Sequence, residues 1–190
     1  MLRRMMLAVI VAGAATTAAH AQELELALSD EMAELILADR SSQGANQSVR
    51  YGGGLLYNED TDLLGSLFLT VNNEVEGRWQ PVTFGVGAKL YGADLDASGE
   101  SLAALAVGGN VGVGIPANIP LAIVLQGYVS PNITTGGDAD RVTEGQIRLE
   151  AELVSGAHAF VGYRQIKFHM DEYRDERVDD GLHAGLRLRF

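Results

Sequence analysis

The sequence predicts an all-β protein: a single antiparallel up-and-down transmembrane β-barrel of eight to ten strands, ten favoured, preceded by a cleaved signal peptide. Three observations lead there. The first is the N-terminal stretch MLRRMMLAVIVAGAATTAAHA, with Arg3 and Arg4, an apolar run from Met5 to Ala14, and Ala19 and Ala21 around His20. That is the pattern of a secretory signal cut after Ala21. The second is strict period-two alternation along most of the remaining chain. The third is the spacing of turn-rich intervals between the alternating runs. As a membrane anchor the N-terminal run is too short, because a spanning helix needs ~20 apolar residues. No later stretch reaches that length either, so a mature chain in a bilayer must cross as strands. Lipid offers no partner for the edge of an open sheet, and the sheet must therefore close. The expected division is residues 1–21 as signal peptide and 22–190 as barrel.

Taken in order, the short runs ELELALS and MAELILAD supply a first hairpin, which raises the count from eight strands to ten. Further strands are expected at 49–57, 63–72, 82–91, 102–115, 121–130, 142–153, 157–169 and 181–190. Most match the ~9 to 11 residues of a tilted membrane strand. In the third of these, Val82, Phe84, Val86, Ala88 and Leu90 share one face against Thr83, Gly85, Gly87 and Lys89. In the fourth, Leu105, Val107, Val111, Val113 and Ile115 oppose a face of small residues from Ala104 to Gly114. In the sixth, Ile147, Leu149, Ala151 and Leu153 alternate with Arg148, Glu150 and Glu152. The seventh breaks the rule: Ala159, Val161 and Tyr163 keep one parity and Ile166, Phe168 and Met170 take the other. A β-bulge near Arg164, or an extension above the membrane, would account for it.

Between the strands, counting back from the C-terminus, the 170–181 connection is long, SG short, 130–141 long and PANIP short. Outer-membrane barrels alternate short periplasmic turns with longer external loops in this way. Nearer the N-terminus NEDTD is short where an external loop is due, and 72–81 is long where a turn is due. Tyr57, Trp79, Tyr91, Tyr163 and Phe190 fall near strand ends, where membrane interfaces favour aromatic side chains.

Alternation alone also suits a soluble lipocalin-like periplasmic barrel that binds an apolar ligand, which differs only in which face points inward. The small face at 104–114 decides for polar-inward, because small residues in a narrow lumen leave room for large ones elsewhere. The charges of that face then need partners. Lys89, Arg148, Glu150, Glu152, Arg164, Arg187 and Arg189 are the candidates for an interior charge network or the lining of a lumen. Arg187 and Arg189 are expected opposite Glu150 and Glu152, with Gly162 between them. The last strand places Leu182, Ala184, Leu186, Leu188 and Phe190 on one face. A terminal aromatic after such a run resembles the assembly signal of outer-membrane barrels, carried here by Leu182, Leu186, Leu188 and Phe190.

Composition narrows the chemistry. Removing residues 1–21 takes away Arg3 and Arg4 and no acid, so the net charge goes from −11 to −13. Nucleic acid needs a basic face and is not an expected partner. With no cysteine there is neither a disulfide nor a thiolate metal site. Asp94, Asp96, Ser98 and Gly99 begin as a calcium loop begins, but its twelfth position is Leu105 where a bidentate Glu is required. His169, Asp171, Asp175, Asp179, Asp180 and His183 offer a base and an orienting carboxylate, yet no nucleophile motif accompanies them and a solvated charge run explains them. No catalytic residue, metal or cofactor is expected. The sequons NQS and NIT carry no meaning beside a bacterial export signal, and GGGLL lacks the lysine of a phosphate-binding loop.

Five stretches together resemble the YfaZ family of outer-membrane proteins: GGLLYNEDTDLLGSLFLTV (53–71), GVGAKLYGADLD (85–96), ALAVGGNVGVGIP (104–116), VGYRQIKF (161–168) and VDDGLHAGLRLRF (178–190). Where the family has APD this chain has SPN at 130–132. The resemblance implies an outer-membrane barrel and no established activity. The expectation is a structural, envelope-associated barrel with a filled interior, in contact with outer-membrane lipid, lipopolysaccharide and the barrel-assembly machinery. The competing expectation is a narrow channel for small solutes or ions.

Overall fold

The computed structural model describes residues 22–44, 46–59, 63–76, 81–95, 100–137, 139–170 and 176–190. The expected signal peptide lies outside the described residues. Eleven strands are present among those described: β1 (Glu23–Leu28), β2 (Met32–Ser42), β3 (Gln47–Asn58), β4 (Leu63–Glu76), β5 (Pro81–Leu95), β6 (Glu100–Ile115), β7 (Leu121–Ser130), β8 (Thr135–Gly137), β9 (Ala139–Val154), β10 (Ala157–Met170) and β11 (Glu176–Arg189). Ten of them form one closed antiparallel ring, β1 to β7 followed by β9, β10 and β11. The two N-terminal runs supply β1 and β2, and with them the ring has ten members. Closure runs from Glu23 opposite Arg189 to Leu28 opposite Ala184. The Phe190 N–H donates to the Gln22 carbonyl (2.9 Å) and the Arg189 N–H to the Gly156 carbonyl (2.7 Å), so the last residues are held at the seam. Gly156 takes φ 82° in the two-residue turn between β9 and β10, a left-handed conformation that glycine adopts without the clash a Cβ brings.

Gln22 and Phe190 lie at one end of the barrel, here the terminal end, with the facing ends of β2 and β3, β4 and β5, β6 and β7, and β9 and β10. The facing ends of β1 and β2, β3 and β4, β5 and β6, β7 and β9, and β10 and β11 lie at the far end. Alternation fixes the two faces of the wall. Ile147, Leu149, Val107, Leu125 and Leu186 point outward and are 42–56% exposed, while Lys89, Glu144, Arg164 and Arg187 are buried inside. Small inward residues on β6 make room for large ones. A Cβ on Gly108 would stand 2.8 Å from Cδ1 of Tyr128, whose buried ring fills that part of the lumen.

The ladders run further than the turn signals suggest. β4 continues to Glu76, where the polar 72–81 stretch reads as a turn, because Asn72, Asn73, Glu74 and Val75 pair with β5 from Gly85 to Val82. Only 77–80 is left as a connection, and the irregular loop length expected there disappears. β5 likewise reaches Leu95, β9 starts at Ala139 and β11 at Glu176. In the 130–141 interval, a short 3-10 turn (Asn132–Thr134) leads into β8, which pairs Thr135 to Gly137 with Ala104 to Leu102 of β6.

Two expectations are corrected. β10 has no bulge at Arg164: Phe160, Gly162, Arg164, Ile166 and Phe168 are all buried on one inward face. The register shift falls between Ile166 and Lys167, and the extra residue is Val178 on β11. What changes along β10 is the chemistry of the interior, from polar to apolar, and that mimics a parity switch in sequence. Tyr91 is not an interface aromatic, being wholly buried inside the barrel; Tyr57, Tyr163 and Phe190 do face outward. Trp79 lies outside the described residues.

Candidate functional site

The interior is built in three tiers. At the terminal end, four guanidinium groups share three carboxylates. Arg187 of β11 donates through Nη1 and Nη2 to Glu150 of β9 (both 3.0 Å) and through Nε to Glu25 of β1 (2.7 Å). Arg148 of β9 reaches Glu25 (2.8 Å) and Glu150 (2.5 Å). Arg50 of β3 holds Glu23 through Nε (2.8 Å) and Nη2 (2.5 Å), and Arg189 holds it from the other side (3.1 Å). Arg50 lies 4.8 Å from the centre of the Phe68 ring and Arg148 5.0 Å from that of Phe160, so aromatic faces fix two of the guanidinium planes. A low-dielectric interior tolerates such charges when each is paired and hydrogen-bonded. Here every carboxylate touches at least two cations.

The middle tier holds Glu144 of β9, which accepts from Lys89 Nζ (2.8 Å), Gln126 Nε2 (3.0 Å) and the Tyr91 hydroxyl. Beside it Arg164 of β10 bridges Asp179 of β11 (2.5 Å) and Glu34 of β2. Gln146 and His183 share a hydrogen bond of 3.0 Å. Above this tier the lumen is apolar: Tyr91, Phe168, Leu56, Leu102, Ile166 and Val142 are each no more than 1% exposed and pack into one cluster. Below it lies a chamber of about 310 Å³. Its rim carries the exposed Arg40, Glu74 and Pro81 at the terminal end, and its innermost lining includes Lys89, Glu144 and Arg164. The lumen is thus open at one end and filled at the other among the described residues.

The registers place the sequence-derived residues as follows. Lys89, Arg148, Glu150, Arg164, Arg187 and Arg189 all point into the lumen, in two separate groups. Glu152 shares the face but makes none of these pairs, and sits opposite His158 of β10. Gly162 does not separate Arg187 from Glu150: its register partners are Arg148 and His183, while His158 and Phe160 stand between the two strands' charges at that level. Arg187 still reaches Glu150 because its long side chain extends over the intervening β10. Leu182, Leu186, Leu188 and Phe190 form an outward column, 70%, 52%, 38% and 79% exposed.

The residues weighed for catalysis do not converge. His183 and Asp179 face inward with the partners given above, and Asp180 is bound outside the wall by the Tyr163 hydroxyl and by Arg177 (2.6 Å). Asp171 and Asp175 lie outside the described residues, as do Asp96, Ser98 and Gly99 of the calcium-like loop; Asp94 stands in β5 opposite Leu63 and Ser101. Among the described residues no group of three or more His, Asp or Glu is placed to hold a metal ion.

Sequence reasoning passed over Glu23, Glu25, Glu34, Arg50 and Glu144, and weighed Asp179 only as part of a charged loop. For two of them the signal was there: in ELELAL the acids alternate with Leu24, Leu26 and Leu28 just as Arg187 and Arg189 alternate with Leu186 and Leu188. Reading β1 as the neighbour of β11 makes Glu25 and Arg187 direct register partners.

The family model described as YfaZ precursor matches residues 1–190, the whole chain. The chain belongs to the YfaZ family. In this YfaZ member GGLLYNEDTDLLGSLFLTV contributes to β3 and β4 and VDDGLHAGLRLRF is most of β11, with β1 and β2 between them in the ring. Among curated proteins no match is found.

Proposed function

We propose that this YfaZ-family barrel is exported through a cleaved N-terminal signal and spans the bacterial outer membrane as an envelope-associated, structural protein without a through-pore. The observation that carries the proposal is the filled far half of the lumen, where Tyr91, Phe168, Leu56, Leu102, Ile166 and Val142 exclude water. Outward Ile147, Leu149, Leu125 and Leu186 supply the apolar belt that lipid requires. Inward charge and outward leucine argue against the soluble ligand-binding barrel, whose apolar face would line a cavity. The terminal end then faces the periplasm, since the shortest connection, 155–156, joins strands there and the longest, 131–138, joins them at the far end, which meets lipopolysaccharide. The outward column ending at Phe190 suits recognition by the barrel-assembly machinery. In this reading the interior arginines hold the barrel together and perform no catalysis.

A narrow channel is the competing reading, and conductance separates the two. Residues 22–190, refolded and checked by heat-dependent gel mobility, are placed in a planar bilayer. A folded barrel that stays electrically silent is the expected result; discrete, ion-selective steps would overturn it.

A further inference from the structure

The chamber at the terminal end is lined by more hydrogen-bond donors than its acids can accept. Each guanidinium offers five N–H groups and each carboxylate about four acceptor sites, so Arg50, Arg148, Arg187 and Arg189 present about twenty donors to the roughly twelve sites of Glu23, Glu25 and Glu150. Arg40, on the rim, adds five more and makes no ion pair among the described residues. Charge leans the same way: seven of the residues that line the chamber are cationic and five acidic, Glu74 on the rim among them, in a chain that is acidic overall. The excess donors are oriented. Phe68 and Phe160 hold two guanidinium planes, and Arg189 and Arg50 keep 35% and 19% of their side chains exposed.

The opposite wall is polar, formed by Thr70, Asn72, Thr83, Asn110 and Gln126, and its one acid, Glu74, stands out at the mouth. Asn110 Oδ1 is buried there without a hydrogen-bond partner, an acceptor open to any donor that enters. A space of about 310 Å³ admits a small molecule of several heavy atoms. One wall rich in spare N–H groups, one polar wall whose inner part is uncharged and, among the described residues, a single mouth describe a site for a compact oxyanion that carries at least one hydroxyl.

We infer that the chamber binds a small oxyanion, a phosphate or a carboxylate compound, entering from the periplasmic end. The inference rests on the one-ended barrel proposed above, and each fails separately: conductance tests the closed far half, and binding tests the chamber.

The test is calorimetric titration of the refolded chain in a zwitterionic detergent, with inorganic phosphate in one arm and citrate in the other. Saturable binding near one per barrel is expected in at least one arm, and the tighter arm names the class. Arg40→Gln with Arg189→Gln is expected to weaken it by about tenfold or more, since charge-assisted contacts are lost. Arg177→Gln, at the far end, leaves it unchanged. Should Arg189→Gln impair folding, Arg40→Gln alone carries the comparison. Absence of binding in both arms, or equal binding by wild type and the rim variants, overturns the inference.

Discussion

Glu25 is the acid on which the terminal-end network turns, and its neutralisation is the most direct test of what the network contributes. It is 3% exposed, accepts from Arg187 at 2.7 Å and Arg148 at 2.8 Å, and lies 3.8 Å from Arg50. Glu25→Gln keeps the volume and removes the charge, leaving Arg50, Arg148, Arg187 and Arg189 with only Glu23 and Glu150. Removing one partner of a buried pair costs about 3 to 5 kcal/mol, because the other charge stays desolvated. The amide oxygen still accepts one of the two close bonds, and the chamber lets water reach part of the cluster, so the lower figure applies. About 3 kcal/mol corresponds to roughly a hundredfold change in the unfolding equilibrium. Urea unfolding of the refolded barrel in lipid vesicles, followed by tryptophan fluorescence and gel mobility, reads this as a lower midpoint at unchanged slope. Glu152→Gln, on the same face with no ion pair, is the control and is expected within about 0.5 kcal/mol of wild type. A Glu25→Gln barrel as stable as that control would refute the network as a source of stability.

Four further outcomes are expected. Gly185→Ala drives a Cβ into the Leu26 carbonyl oxygen and the edge of the Phe160 ring, so overpacking costs about 3 kcal/mol in the same assay; at Gly145 a Cβ meets nothing within 4 Å, and Gly145→Ala is neutral or stabilising. Truncating the apolar fill with Tyr91→Ala and Phe168→Ala together is expected to give measurable ion conductance in a bilayer where the wild type gives none. Leu149→Arg, on the outward face at mid-strand, is expected to cost about 2 to 4 kcal/mol in vesicles, and Leu153→Arg, nearer the end of β9, clearly less. Deleting Phe190 is expected to lower the amount of assembled barrel in cells far more than the yield of refolding in detergent, the difference being read by gel mobility.

The fold was legible because a closed sheet with two unlike faces imposes alternation on each strand, and alternation survives in sequence at Leu182 to Phe190 or Val82 to Leu90 without knowledge of any partner. Strand ends were not, because a ladder outlasts the local turn signal: Asn72 and Asn73 favour a turn by themselves and pair in β4 because β5 stands beside them. Arg187 with Glu150 could be read as a pair from parity and depth; of most other pairs only one member could. Its partner depends on tilt and register, which bring Arg187 to Glu25 and Arg164 to Glu34, residues far apart in the chain. The change at Ile166 misled for another reason. An inward face is polar where water reaches it and apolar where it does not, and no single strand reveals at what depth the water stops.

That depth has a consequence for what the molecule can sense. In the outer-membrane setting proposed above, a vessel with one mouth equilibrates with one compartment: solutes would enter and leave the arginine-lined space by the same route, and none would be handed across. Its occupancy would follow the composition on that side alone. Spanning a barrier and communicating across it are separate properties, and on that reading the packing of Tyr91 with Phe168, Ile166 and Leu102 at the far end is what separates them.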